Sequence, residues 1–313
     1  MPPELSDITD SFTLTPVQAV GIPIALFGAI LISIGTQLQH TGVSVVGKRA
    51  ESGTKAGLGL RQLAALFARP SWLLGTVHLG VAMLFQLTSL VFAPLIVVQP
   101  LGAIALVVTA IVNSRLSGVK LGAISRRAIW LCVGGVGLFV AIAAFTAKSN
   151  PITELQLSVV LIILSAVLVA FAVAFALLRK RFKAIFYIIG AGVLFGFVAT
   201  LAKVVIDRIK TLSFDNFQLG DAEWLTVLCV VGLLIAALLG GYFVQSAYSN
   251  GPPDLVVAGL TVIDPLVAIA IGILVLGEAS AAPLWAIIAF VIAGATAIYG
   301  VLLLAKNHPQ SQH

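Results

Sequence analysis

Nine long apolar stretches divide the chain, at residues 17–40, 72–92, 94–113, 128–147, 156–178, 184–206, 224–248, 255–277 and 283–305. Each has about the 20 residues that a helix needs to cross a bilayer. The pattern predicts helices throughout, because open strands would leave backbone groups unpaired in hydrocarbon. Between the second and third stretches, Val91-Phe92-Ala93-Pro94 carries no charge. It reads as a tight turn at the membrane surface, with Pro94 starting the next helix.

The polar segments between the stretches sort by charge. Segment 41–71 holds Lys48, Arg49, Lys55, Arg61 and Arg69 against Glu51, and 114–127 holds Arg115, Lys120, Arg126 and Arg127. Arg179-Lys180-Arg181-Phe182-Lys183 is basic, and the tail carries Lys306. The alternate segments balance Lys148 with Glu154, and Arg208 and Lys210 with Asp207, Asp215, Asp221 and Glu223. With nine spans the basic set falls on one side, so the excess of Lys and Arg in cytoplasmic loops predicts the N-terminus outside and the C-terminus in the cytoplasm. Glu4, Asp7 and Asp10 make the first residues acidic, unlike the start of a secretory signal peptide, so the first stretch is expected to stay as an anchor.

Composition agrees with this layout. The 313 residues are 60% hydrophobic and 10% charged, with a mean hydropathy of +1.12. Soluble domains carry about 25% charged residues, so the chain predicts a multi-pass protein of the plasma membrane. The net charge of +6 is what cytoplasmic loops supply and implies no nucleic-acid partner. Cys132 and Cys229 lie in apolar runs and read as small hydrophobes. The 29 glycines suit close helix packing and would permit a homodimer.

The chain also repeats itself. Gly28-Ala29-Ile30-Leu31, followed by Thr36 and Gln39, corresponds to Gly192-Val193-Leu194-Phe195, followed by Thr200 and Lys203, at an offset of 164. Val97-Val98-Gln99-Pro100-Leu101 corresponds to Val262-Ile263-Asp264-Pro265-Leu266 at 165, Phe85-Gln86 to Val244-Gln245, and Pro94 to Pro252. Helices one to four (17–147) therefore match helices six to nine (184–305), with 148–183 as a linker helix between an outer tail (1–16) and a cytoplasmic tail (306–313). The single extra crossing inverts the second copy. The fold class expected is an all-α membrane protein with an inverted-topology repeat of four, one and four helices, an arrangement that in transporters places the substrate near midplane between the halves.

Gln99-Pro100-Leu101-Gly102 after the helix starting at Trp72, and Asp264-Pro265-Leu266 followed by Gly277-Glu278, resemble the drug/metabolite transporter superfamily. The spacing from Pro265 to Gly277-Glu278 is similar to the end of each half in EamA-type members. The nine-span layout with Val97-Val98-Gln99-Pro100-Leu101-Gly102-Ala103 resembles the NIPA-like magnesium transporter branch. In the first half Asn113-Ser114-Arg115-Leu116 stands where the family pattern has its glutamate.

Ionisable groups inside a membrane are costly, and they mark functional sites by default. Asp264 is near the middle of its stretch and beside Pro265, which removes a backbone donor. Pro100 and Pro265 are expected to break their helices. Lys203 has two candidate partners, Asp264 across the repeat interface and Asp207 four residues on. Gly192, Gly196, Thr200, Lys203 and Asp207 share a helical stripe that suits a cavity wall. Gln39 and Gln99 are the neutral counterparts of Lys203 and Asp264. His78, Ala82 and Gln86 share a face of the second helix, as Ser33, Gln37 and His40 do of the first, and Gln245 answers Gln86. Glu278 is expected at the outer interface in a structural role.

The translocation site expected is thus Asp264, Lys203, Gln99, Gln39, His78, Gln86, Gln245 and Thr200, with no cofactor. Lacking a phosphate-binding loop, a zinc spacing or a nucleophile–base set, the chain is expected to be no enzyme. Its partners are the bilayer and a small molecule or ion. The leading reading is a secondary transporter of a small organic, anionic or amphipathic solute. A Mg²⁺ or other divalent-cation permease comes next, because a lone deep carboxylate that Lys203 can neutralise is a poor cation site. A non-transporting accessory protein is the third.

Overall fold

The computed structural model describes residues 16–49, 67–117, 121–147, 151–178, 184–214, 223–250 and 253–306. Among them the regular structure is entirely helical. The helices are α1 (Pro16–Arg49), α2 (Pro70–Phe92), α3 (Leu95–Leu101), α4 (Ile104–Ser117), α5 (Ala123–Thr146), α6 (Glu154–Leu178), α7 (Ala184–Phe214), α8 (Glu223–Asn250), α9 (Pro253–Leu274) and α10 (Leu284–Lys306). Seven segments are long and apolar enough to cross a membrane, and Ala19–Gly35 and Ala258–Leu274 are shorter apolar helices. These nine segments fall on the nine apolar stretches.

Two features exceed the apolar pattern. The 34 residues of α1 and 31 of α7 make helices of about 50 and 46 Å, against a hydrocarbon core of about 30 Å. Lys48 and Arg49, and likewise Asp207, Arg208 and Lys210, continue these helices rather than starting loops. The third span, by contrast, is two helices. After Pro100 the amides of Gly102 and Ala103 bond the carbonyls of Gln99 and Pro100 at 3.2 Å. Those of Ala105 and Leu106 do the same three residues back, at 3.1 and 3.2 Å. This is a tight 3₁₀ step, the arrangement by which a chain rejoins a helix around a missing donor. The expected second break does not follow: α9 runs continuously through Pro265, its neighbours on α7 holding the helix in line.

The packing obeys the repeat. α1 packs along α2 as α7 packs along α8, while α5 meets α10 and α3 meets α9. The α5–α10 seam is reciprocal. A Cβ on Gly135 would lie 2.6 Å from the Ala297 nitrogen and 2.9 Å from the Ala293 carbonyl. One on Gly300 would lie 2.5 Å from the Cys132 nitrogen and 2.9 Å from the Ala128 carbonyl. Adding 165 to Gly135, Ala128 and Cys132 gives Gly300, Ala293 and Ala297. Each contact is therefore the copy of the other, as at a two-fold interface between identical subunits, and the two helices run antiparallel. One buried cluster gathers α2–α5 with α10, and a second gathers α6–α8 with the ends of α9.

Candidate functional site

The second seam between the halves, α3 against α9, carries the polar residues. Leu95 lies near Gly272, since a Cβ there would come within 3.6 Å of the Leu95 side chain. Gln99 follows one turn along α3, and Asp264 lies about two turns along α9, both toward the bundle centre. Gln99 is 5% exposed and Asp264 is partly buried. Gln99 Nε2 and Asp264 Oδ1 are buried without a hydrogen-bond partner among the described residues. Unpartnered buried polar atoms are rare, because each costs about 1–3 kcal/mol. Here two of them occupy equivalent places in the repeat.

Lys203 sits elsewhere. Its Nζ is 3.0 Å from Asp207 Oδ2, one turn along α7, and donates to the carbonyls of Leu90 at 3.0 Å and Ala93 at 3.4 Å. Those carbonyls end α2. Of the two partners open in the sequence, the structure selects Asp207. The reason is height: Gly196 abuts the Asp264 carbonyl, which a Cβ would approach to 3.0 Å, and Lys203 lies seven residues, about 10 Å, further along the helix. The stripe on α7 is consequently a packing seam and no cavity wall. A Cβ at Gly192 would lie 2.7 Å from Ile263, and one at Gly196 2.7 Å from Val267. Thr200 is fully buried and donates to the Gly196 carbonyl at 2.8 Å.

Glu278 is the residue that hydropathy misjudges. It is 3% exposed, and its Oε1 and Oε2 accept from the amides of Leu95 and Ile96, each at 2.8 Å. The first amides of a helix have no partner within it, and this carboxylate supplies one from the other half. Gly277, at φ +69, turns the chain back so that Glu278 reaches α3. Gly272 clears the path, its Cβ position being 3.0 Å from Glu278 Oε2. Burial raises the Glu278 carboxyl above its ordinary value, while the two amide donors and Lys203 pull it back. The clue in the sequence was a carboxylate directly after a glycine at the end of an apolar run.

Among the described residues the remaining candidates do not converge. His78 Nδ1 bonds the Leu74 carbonyl of its own turn at 2.8 Å, and Gln86 is half-buried beside the α1 seam at Gly28. Ser33 meets Thr109 of α4 at 2.9 Å. Gln39, His40 and Gln245 belong to α1 and α8, but their side chains lie outside the described residues. Among the described residues no group of three or more His, Cys, Asp or Glu could enclose a metal ion.

A membrane-spanning helical bundle in two interlocked copies, with polar groups on the seam between them, is an architecture suited to carrying a solute across a membrane. The family is also defined: the chain belongs to the NIPA magnesium transporters, whose sequence model matches residues 17–310. An uncharacterized protein of Corynebacterium glutamicum is 27% identical over 282 residues, covering 89% of this chain and 95% of its own length. No solved structure matches. The protein is a multi-pass membrane transporter.

Proposed function

We propose that the cargo is Mg²⁺, carried by alternating access between the halves, with Asp264 as its carboxylate and Gln99 beside it. The observation that carries this reading is the Asp264 oxygen without a partner while Lys203 is held by Asp207 and the end of α2. The sequence argument against a cation required Lys203 to neutralise Asp264, and that premise is gone. Mg²⁺ sheds water reluctantly and rests on one or two carboxylates with several waters retained. A single carboxylate with an amide at the equivalent place in the other half suits a partly hydrated ion better than a closed protein cage. The amide of Gln99 can present its oxygen instead of its nitrogen by a flip.

The orientation proposed has the N-terminus outside and the C-terminus in the cytoplasm at the plasma membrane, a reading that the basic segments support. Purified protein in liposomes loaded with a Mg²⁺-sensitive dye tests the cargo. Uptake is expected from wild type and lost with Asp264→Asn. Wild-type rates in that variant would remove Asp264 from the site. Wild type that moves no Mg²⁺ but accumulates a member of a metabolite panel would install the organic-solute reading instead.

A further inference from the structure

The second half holds the first by its corner. At the α2–α3 turn, the carbonyls of Leu90 and Ala93 receive Lys203, and that of Val91 receives Lys210. The amides of Leu95 and Ile96, just past the turn, are bound by Glu278. A cation thus closes the carbonyl end of one helix and an anion the amide end of the next, both sent from the opposite half. The corner is dry: Leu90, Ala93, Leu95 and Ile96 are at most 1% exposed. The charge bias assigns this end of the bundle to the outside, and it lies directly beyond Gln99 and Asp264. Nothing in the first half mirrors it in sequence, since Gln39 and Asn113 stand at the positions of Lys203 and Glu278.

We propose that Glu278 and Lys203 form the outer gate of the transport path, closing it by clasping the α2–α3 corner, and that the path opens outward only when Glu278 releases the Leu95 and Ile96 amides. This rests on the transporter reading above. The 3₁₀ step at Gly102–Ala103 is where α3 can swing from α4, and the α5–α10 seam, where backbones touch at Gly135 and Gly300, is the pivot.

The test is accessibility. Ala268, buried on α9 one turn from Asp264 toward the clasp, is changed to cysteine in a background without Cys132 and Cys229. A membrane-impermeant maleimide is applied to either side. With Glu278→Gln, labelling from the clasp side is expected to rise about tenfold, the size of losing one hydrogen bond to a charged group, and labelling from the other side to fall. General loosening would raise both. Gly272→Ala, which pushes the carboxylate aside without removing its charge, is expected to do the same more weakly. In the unaltered protein, the Leu95 and Ile96 amides are expected to exchange with deuterated water faster than those of Ala293 and Ala297 in the seam. Unchanged labelling in folded variants, or equally slow exchange at both places, overturns the gate. Mg²⁺ flux with unchanged labelling would remove the gate alone. Changed labelling without flux in wild type would keep the gate and remove the cargo.

Discussion

The two halves share a sequence pattern but divide its use. In the first, Gln99-Pro100 is followed by a 3₁₀ step and a second helix. In the second, Asp264-Pro265 lies in an unbroken helix, braced where Gly192 and Gly196 admit Ile263 and Val267. The glycine equivalent to Gly192 has a different neighbour, Gly28 lying against Phe85 and Ala82 of α2. The comparison teaches that the charge sits on the unbroken copy and the 3₁₀ step on the neutral one. A proline alone does not break a helix; the packing around it decides.

The largest effect expected from this division is at the carboxylate. Asp264→Asn should lower Mg²⁺ uptake by about a hundredfold or more, some 3 kcal/mol, whereas Gln99→Ala should lower it about tenfold. Equal losses in dye-loaded liposomes would mean the halves contribute alike. A sharper version moves the charge: Gln99→Asp combined with Asp264→Asn should recover part of the uptake lost by Asp264→Asn. No recovery would show that the unbroken side is required.

Where the halves are truly equivalent, they should respond equally. Gly135→Ala and Gly300→Ala each force a methyl into a backbone, an overpacking cost of about 1–3 kcal/mol. Thermal unfolding in detergent should show matching losses, and a marked inequality would break the two-fold reading of the seam. The smallest effect separates the prolines. Pro100→Ala should slow uptake a fewfold by regularising the step, while Pro265→Ala, in a helix already straight, should leave it within about twofold, since either change is worth less than 1 kcal/mol.

The nine spans and the repeat were legible in the sequence because both are one-dimensional: hydropathy marks a crossing, and a fixed offset marks a copy. The equivalent places of Asp264 and Gln99 were legible for the same reason, since they stand at one offset in two apolar runs. What hydropathy could not weigh was distance between chain-remote groups. Lys203 had two carboxylates within plausible reach, and only the relative height of α7 and α9 selects Asp207. Glu278 stood at the edge of an apolar run, where a carboxylate is cheap in water, and its amide partners lie more than 180 residues away. The α7 stripe misled because small residues line cavities and tight helix contacts alike. The Gly135–Gly300 relation was available from the offset and carries its meaning only when the contact is seen.

The one-sided clasp has a consequence for the resting state. Two identical inverted halves would make the inward-open and outward-open forms two-fold equivalents of equal free energy, each occupied half the time. Lys203 against Gln39 and Glu278 against Asn113 end that degeneracy. If the clasp is worth about 2.7 kcal/mol more than whatever holds the opposite end, the outward-open form falls to roughly one molecule in a hundred. Cargo arriving from that side would then meet an apparent affinity about a hundredfold weaker than its intrinsic one. Under the proposed gate, a few hydrogen bonds at one corner would set the direction in which the transporter waits.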